Sequence, residues 1–202
     1  MIYKIIFMDL KEAYSILISD LIKNSYLKSD SVISALFKVP RWEFLPDELK
    51  QFSTMDEPIP IGYGQTMSAP HMVALMLELL DIKEGQNILE IGAGSGWNAA
   101  LIAELVGPKG SVTTIEFVKE LHGSAKKSLY EYFNVECVEG DGKIGYVKNA
   151  PYDRIIVTCA AQEIPKDLES QLKDGGIMVI PLGSQLMQEL VKCTKKGKWV
   201  EQ

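Results

Sequence analysis

The sequence predicts a doubly wound α/β sheet, mostly parallel, with an antiparallel C-terminal edge and helices ahead of it. Three observations carry this. Short apolar runs alternate with stripes at helical spacing from Asn87 to Ile180. The first run ends in a loop with glycine at alternate positions, Gly92-Ala93-Gly94-Ser95-Gly96, and an acidic residue closes the next run. Near the C-terminus, two apolar runs flank a basic turn. The 202 residues suit one domain. Residues 1–80 read as N-terminal helices with a segment covering the ligand site, and 81–202 as the sheet core.

Asp9 to Asn24 carries Leu10, Tyr14, Leu17, Leu21 and Ile22 on one stripe, and Asp9 with Glu12 has the form of a capping box. A shorter stripe of Val32, Ile33, Leu36 and Phe37 stops before Pro40, since proline disfavours helix in the residue ahead of it. Both stripes read as core or interface packing. The surplus of apolar residues here makes a homo-oligomer through the N-terminal helices an expectation. Phe52 to Pro60 is irregular, with Pro58 and Pro60 setting an extended path. In Ile61 to Met72, Gly62 and Gly64 confer mobility, and Ser68 followed by Pro70 announces a helix running to Leu80.

Asn87 to Ile91 is short, apolar and followed by glycine, as a buried parallel strand is. Ala99 to Leu105 continues at helical spacing. Val112 to Ile115 is a second strand closed by Glu116, Lys119 to Tyr132 suits a helix, and Val135 to Val138 is a third strand leading to Gly140-Asp141-Gly142. Tyr152 to Val157 is a fourth strand after the Pro151 turn, and Lys166 to Leu172 a helix. Lys173 to Gly176 is a sharp turn into a fifth strand, Ile177 to Ile180. Leu190 to Cys193 and Trp199-Val200 form a hairpin about Lys195 to Lys198. Ligands of such sheets bind beyond the carboxyl ends of the strands, where Gly92, Glu116, Asp141 and Thr158 fall.

Glycine at alternate positions lets a ligand approach the main chain, and the helix start beyond directs unpaired N–H groups there. Glu116, twenty residues after Gly96, stands where a carboxylate accepts hydrogen bonds from a ribose diol. Residues Gly94 to Ala99 also fit a dinucleotide pattern with alanine in its last slot. Charge argues otherwise: Glu90 precedes the loop, and no lysine or arginine lies between Lys83 and Lys109. A pyrophosphate would meet a carboxylate and no cation, whereas an ammonium would be attracted. S-adenosylmethionine, with ribose, adenine and an ammonium-bearing tail, is favoured over NAD.

A net charge of −6, with no long basic run besides Lys195 to Lys198, argues against a nucleic-acid partner. Three widely spaced cysteines, Cys137, Cys159 and Cys193, suggest reduced thiols in a cytoplasm and no metal site. Ile5 to Met8, interrupted by Asp9, is too short for a signal peptide or membrane span.

Val39 to Pro46 (VPRWEFLP), Asp56 to Met72 (DEPIPIGYGQTMSAPHM), the LEIGAGSGW loop, Glu139 to Gly142 (EGDG), Ala150 to Ala161 (APYDRIIVTCAA) and Leu172 to Gly183 (LKDGGIMVIPLG) together resemble the protein-L-isoaspartate O-methyltransferases. The resemblance runs from about Val32 to Gly183. Its glycine loop is common to many methyltransferases, while the Ile59 to Met72 block is specific to this family. It implies a Rossmann-like methyltransferase sheet that uses S-adenosylmethionine to methylate the α-carboxylate of L-isoaspartyl residues in damaged proteins and peptides. Trp97 departs from a more frequent tyrosine, and Cys159 interrupts an alanine run. The family also carries a strand after the hairpin, whereas this chain stops at Gln202, so altered C-terminal contacts are expected.

Carboxylate methylation needs no general base, which suits a sequence poor in histidine. The resemblance implies that Ser68 orients the acceptor. Cofactor contacts are expected from Thr66, Met67, Ser68, His71, Glu90, the loop Gly92 to Gly96, Glu116, Asp141 and Gly142. Capping alone would also explain Ser68, and turn formation Asp141. An oxidoreductase using NAD and a non-catalytic adenosyl-ligand sensor are the alternatives.

Overall fold

Helix α1 (Leu10–Lys23) turns Tyr14, Leu17, Ile18 and Leu21 into the core, while Ile22, expected on that stripe, stays 43% exposed. The computed structural model describes residues 9–184 and 187–201, without side chains for 198–201, so the Ile5 to Met8 run lies outside the described residues. Asp9 is the N-cap of α1, but its side chain makes no capping bond, so the capping-box expectation is corrected. Helix α2 (Asp30–Lys38) buries Val32, Ala35 and Leu36 and leaves Phe37 exposed. Two short 3₁₀ turns, Arg41–Phe44 and Asp47–Phe52, follow.

The glycine segment forms a hairpin. Strands β1 (Ile59–Gly62) and β2 (Gln65–Met67) pair antiparallel, and the residues between them take left-handed φ angles, Tyr63 at +54° and Gly64 at +71°. Glycine there permits a tight turn. Helix α3 (Pro70–Leu80) starts on proline, whose missing N–H costs nothing in the first turn.

The main sheet has strands β3 (Asn87–Ile91), β4 (Ser111–Glu116), β5 (Val135–Glu139), β6 (Tyr152–Val157), β7 (Leu172–Gly183), β8 (Gln188–Lys196) and β9 (Lys198–Glu201), in the order β5-β4-β3-β6-β7-β8-β9. The four pairings from β5 across to β7 are parallel; β7 with β8 and β8 with β9 pair antiparallel. Helices α4 (Trp97–Val106), α5 (Lys119–Ser128) and α6 (Lys166–Gln171) make the crossovers. The expected turn at Lys173 to Gly176 is instead a bulge within β7, where register advances from Leu172 opposite Tyr152 to Ile177 opposite Arg154. Helix α5 ends at Ser128 rather than Tyr132.

Strand residues divide alternately between two cores. Ile88, Val112, Ile156 and Val179 pack with α1 to α4, whereas Leu89, Ile115, Ile155 and Met178 pack with Leu168 and Leu172 on the other face. The N-terminal helices therefore share a core with the sheet that carries the site. No helix among the described residues is long and apolar enough to cross a membrane.

Candidate active site

The carboxyl ends of β3, β4, β5 and β6 open into one cleft of about 710 Å³, a size typical of small-molecule sites. Gly92 and Gly94 lie on its floor with φ of +95° and +56°. A Cβ at Gly92 would stand 2.4 Å from Thr158 Oγ1. That hydroxyl is pinned, since it is within 2.9 Å of both the Ile91 and Gly92 carbonyl oxygens. The main chain is thus bare where a ligand would approach.

Glu116 lies at the end of β4 and is 6% exposed. Its Oε2 accepts from the Gly94 N–H at 2.8 Å and its Oε1 from the Val118 N–H at 2.9 Å. Both oxygens retain lone-pair capacity, so the carboxylate can brace the loop and still accept from a diol. Asp141 also lines the cleft, and its Oδ1 accepts from the Lys143 N–H at 2.9 Å, so the turn-forming role is present beside any ligand role. Ala93, Ser95 and Gly142 complete the expected part of the floor.

Opposite, the end of β2 brings Thr66, Met67 and Ser68 to the cleft. The N-cap of α3 is Ala69, with no side-chain capping bond. The Ser68 hydroxyl is therefore not used as a helix cap, which corrects the capping alternative.

Three expected site residues do not line the cleft. His71 is turned to Asp56, whose Oδ1 lies 2.9 Å from its Nδ1 and accepts from its backbone N–H at 2.8 Å. Gly96 has φ +90° and lies against Leu129, whose Cγ would be 3.1 Å from a Cβ there; its glycine serves helix packing. Glu90 is fully buried on the α4 side of the sheet, accepting from Asn98 Nδ2 at 2.7 Å and Thr114 Oγ1 at 2.5 Å. The negative groups that line the cleft are Glu116, Asp141 and Glu163.

Burial pushes the Glu90 carboxyl up to about 7, against the hydrogen bonds from Thr114 and Asn98 and with a small further push from Glu116. The folded protein holds this proton more tightly than the unfolded chain, whose carboxyl titrates at its ordinary 4.5. Ionisation therefore costs stability as pH rises from 4.5 through 7. The full cost is about 3 kcal/mol, at about 1.36 kcal/mol per pH unit. Glu90→Gln is expected to remove most of this dependence, its amide donating to Thr114 Oγ1. Urea midpoints at pH 5 and pH 8 should differ less in the variant than in the parent; parallel shifts in both proteins would refute this account.

Sequence reading missed Phe117, 76% exposed on the cleft rim immediately after Glu116, and Lys143, the one lysine or arginine among the described lining residues. Their positions just beyond the carboxyl ends of β4 and β5 were the available signal. It also missed Arg41, which is fully buried beside the cover.

The protein-L-isoaspartate(D-aspartate) O-methyltransferase family model matches residues 12–202. The chain belongs to this family. The protein-L-isoaspartate O-methyltransferase of Methanococcus maripaludis is 50% identical over 92% of this chain and 88% of that protein. Its Methanopyrus kandleri counterpart is 51% identical over 86% and 79%. Among solved structures, a protein-L-isoaspartate O-methyltransferase superposes with a TM-score of 0.82 at 31% identity, covering 94% of this chain and 64% of that one. A Plasmodium falciparum structure, described as a complex with S-adenosyl-L-homocysteine, gives a TM-score of 0.82 at 24% identity and covers 93% and 92%. The family-specific block, Ile59 to Met72, is the β1–β2 hairpin and the start of α3 that close the cleft from above.

Proposed function

We propose that this protein transfers a methyl group from S-adenosylmethionine to the α-carboxylate of L-isoaspartyl residues in damaged proteins and peptides, initiating their repair. The observation that carries this reading is the juxtaposition of an acid-braced glycine floor with a cover bearing Ser68. The floor suits the donor: bare main chain at Gly92, a carboxylate at Glu116, and an acidic rim that attracts an ammonium. Ala93, Gly94, Ser95, Asp141 and Gly142 are assigned to the same contact, with Thr66 and Met67 above.

When bound, S-adenosylmethionine supplies a methyl group made electrophilic by a sulfonium. The protein then has to bind, align and keep water out. The acceptor is ionised at neutral pH, with an unperturbed pKa of about 4, so no side chain needs to take a proton. Met67, Val73, Met76, Ile115 and Val157 give the cleft apolar walls. These lower the local dielectric, which favours bringing opposite charges together as they cancel. Ser68 donates to the acceptor carboxylate and fixes which oxygen faces the methyl.

The same reading places the protein in a cytoplasm. It also assigns association between copies to the N-terminal helices, where Ile16 and Phe37 are 46% and 50% exposed.

Paired peptides, one isoaspartyl and one normal aspartyl, incubated with methyl-labelled cofactor should acquire base-labile label only on the first. Label on neither would leave a binding protein without turnover. Ser68→Ala should lower kcat by about 10-fold or more, the scale of one charge-assisted hydrogen bond. Cofactor Kd should stay within about threefold; equal losses in both would remove Ser68 from the acceptor site.

A further inference from the structure

Arginine is ordinarily a surface residue, yet Arg41 is 0% exposed. Its donors go to carbonyl groups and a thioether. Nη1 donates to the Met55 carbonyl at 3.0 Å, and Nη2 donates to Glu57 and Ser68 carbonyls, each at 2.9 Å. Nε lies 3.1 Å from Met67 Sδ. Met55 and Glu57 precede strand β1, and Met67 and Ser68 close or follow β2. One guanidinium therefore ties both feet of the covering hairpin. A planar fork with five N–H groups can do this; an ammonium on a flexible stem cannot.

The same guanidinium lies over Trp97, its Cζ 5.5 Å from the ring centroid. Trp97 opens α4, directly after the glycine loop, and its Nε1 donates to the Val39 carbonyl at 3.0 Å. Val39 is two residues before Arg41, so the contact closes a loop between the donor floor and the acceptor cover.

We propose that Arg41 is a positioning residue for methyl transfer, holding the Ser68 main chain against Trp97 so that the acceptor cover and the donor floor form one rigid part. This inference rests on the methyltransferase reading. Transfer requires oxygen, methyl carbon and sulfur in line, and a misplacement of about 1 Å costs about 10²-fold. The hold on the Ser68 carbonyl sets where its hydroxyl meets the acceptor.

The test is a double-mutant cycle on the full-length protein, with isoaspartyl-peptide methylation as readout, of Arg41→Lys, Ser68→Ala and both together. Arg41→Lys should lower kcat about 10-fold, no further than Ser68→Ala does, because it acts through that hydroxyl. In the Ser68→Ala background the same change should lower it less than about threefold, because the group being positioned is already gone. Kd for S-adenosylhomocysteine should rise by less than the loss in kcat. Should Arg41→Lys not fold, Trp97→Phe takes its place in the cycle; it removes the bond to Val39 and thins the surface under the guanidinium. A smaller loss with the same dependence on Ser68 supports the proposal. Equal losses with and without Ser68 overturn it, as does a Ser68→Ala protein of unchanged kcat. If the unmodified protein labels no isoaspartyl peptide, the methyltransferase reading falls as well; if it labels the peptide and the cycle is additive, only the role of Arg41 falls.

Discussion

Glu116→Ala should weaken binding of S-adenosylhomocysteine by about 10²- to 10³-fold, measured by calorimetry. A ribose diol would give this carboxylate two charge-assisted hydrogen bonds, each worth about 1.5–3 kcal/mol, and a loss of about 3–4 kcal/mol corresponds to that range. The loss extends beyond the ligand, because the Gly94 and Val118 N–H groups both rely on this side chain. Glu116→Gln should be little better. The two carboxylate oxygens each accept from a backbone N–H, and an amide would turn its NH₂ toward one of them, donor against donor. Glu116→Gln should therefore lose about 10-fold or more in affinity and melt at a lower temperature than the parent. Affinity within threefold of the parent in the alanine variant would remove the diol assignment.

That experiment separates two carboxylates that look alike in the sequence. Glu90 stands one residue before the end of the run that enters the glycine loop and Glu116 closes the next run, so both read as ligand contacts. Strand β3 is buried on both faces, so its sequence lacks the apolar–polar alternation that would show which side each residue faces. Alternation in space decides it. Glu90 shares its face with Ile88 and meets Asn98 and Thr114, whereas its neighbour Ile91 reaches the cleft. The negative charge that faces the cleft is therefore that of Glu116, Asp141 and Glu163 and not that of Glu90.

The parallel core was legible because glycine or proline marks one boundary of its strands: Gly92 after β3, Gly110 before β4, Gly140 after β5 and Pro151 before β6. The cover was less so. Its glycines permit either a mobile loop or a tight hairpin, and the choice rests on contacts from outside the segment. Contacts from Arg41 are among them, and Arg41 stands just past the helix stop read at Pro40. Nothing local marks an arginine as buried; Val39, Trp42 and Phe44 around it were the only cue. The surroundings of His71 were hidden for a related reason. Its partner, Asp56, lies fifteen residues earlier, across the hairpin, and the pair meets only after the hairpin has folded.

Gly92→Ala should have the largest effect on the site, and it tests the floor by shape alone. The added methyl meets Thr158 Oγ1 at 2.4 Å, and φ of +95° is a conformation that L-residues rarely adopt. Relief requires either Thr158 to release its two carbonyl partners or the loop to leave the cleft. The cost should be about 3 kcal/mol, lowering Tm by roughly 6–12 °C for a domain of this size, with calorimetric binding of S-adenosylhomocysteine lost. The two causes can be separated. Thr158→Ala added to Gly92→Ala removes the collision and leaves the backbone strain. The double variant should regain part of the Tm deficit, about 1–2 kcal/mol remaining, while still binding the cofactor product poorly because the loop sits in the wrong conformation. Full recovery of binding in the double variant would mean that the floor needs space at Gly92 but not its left-handed turn.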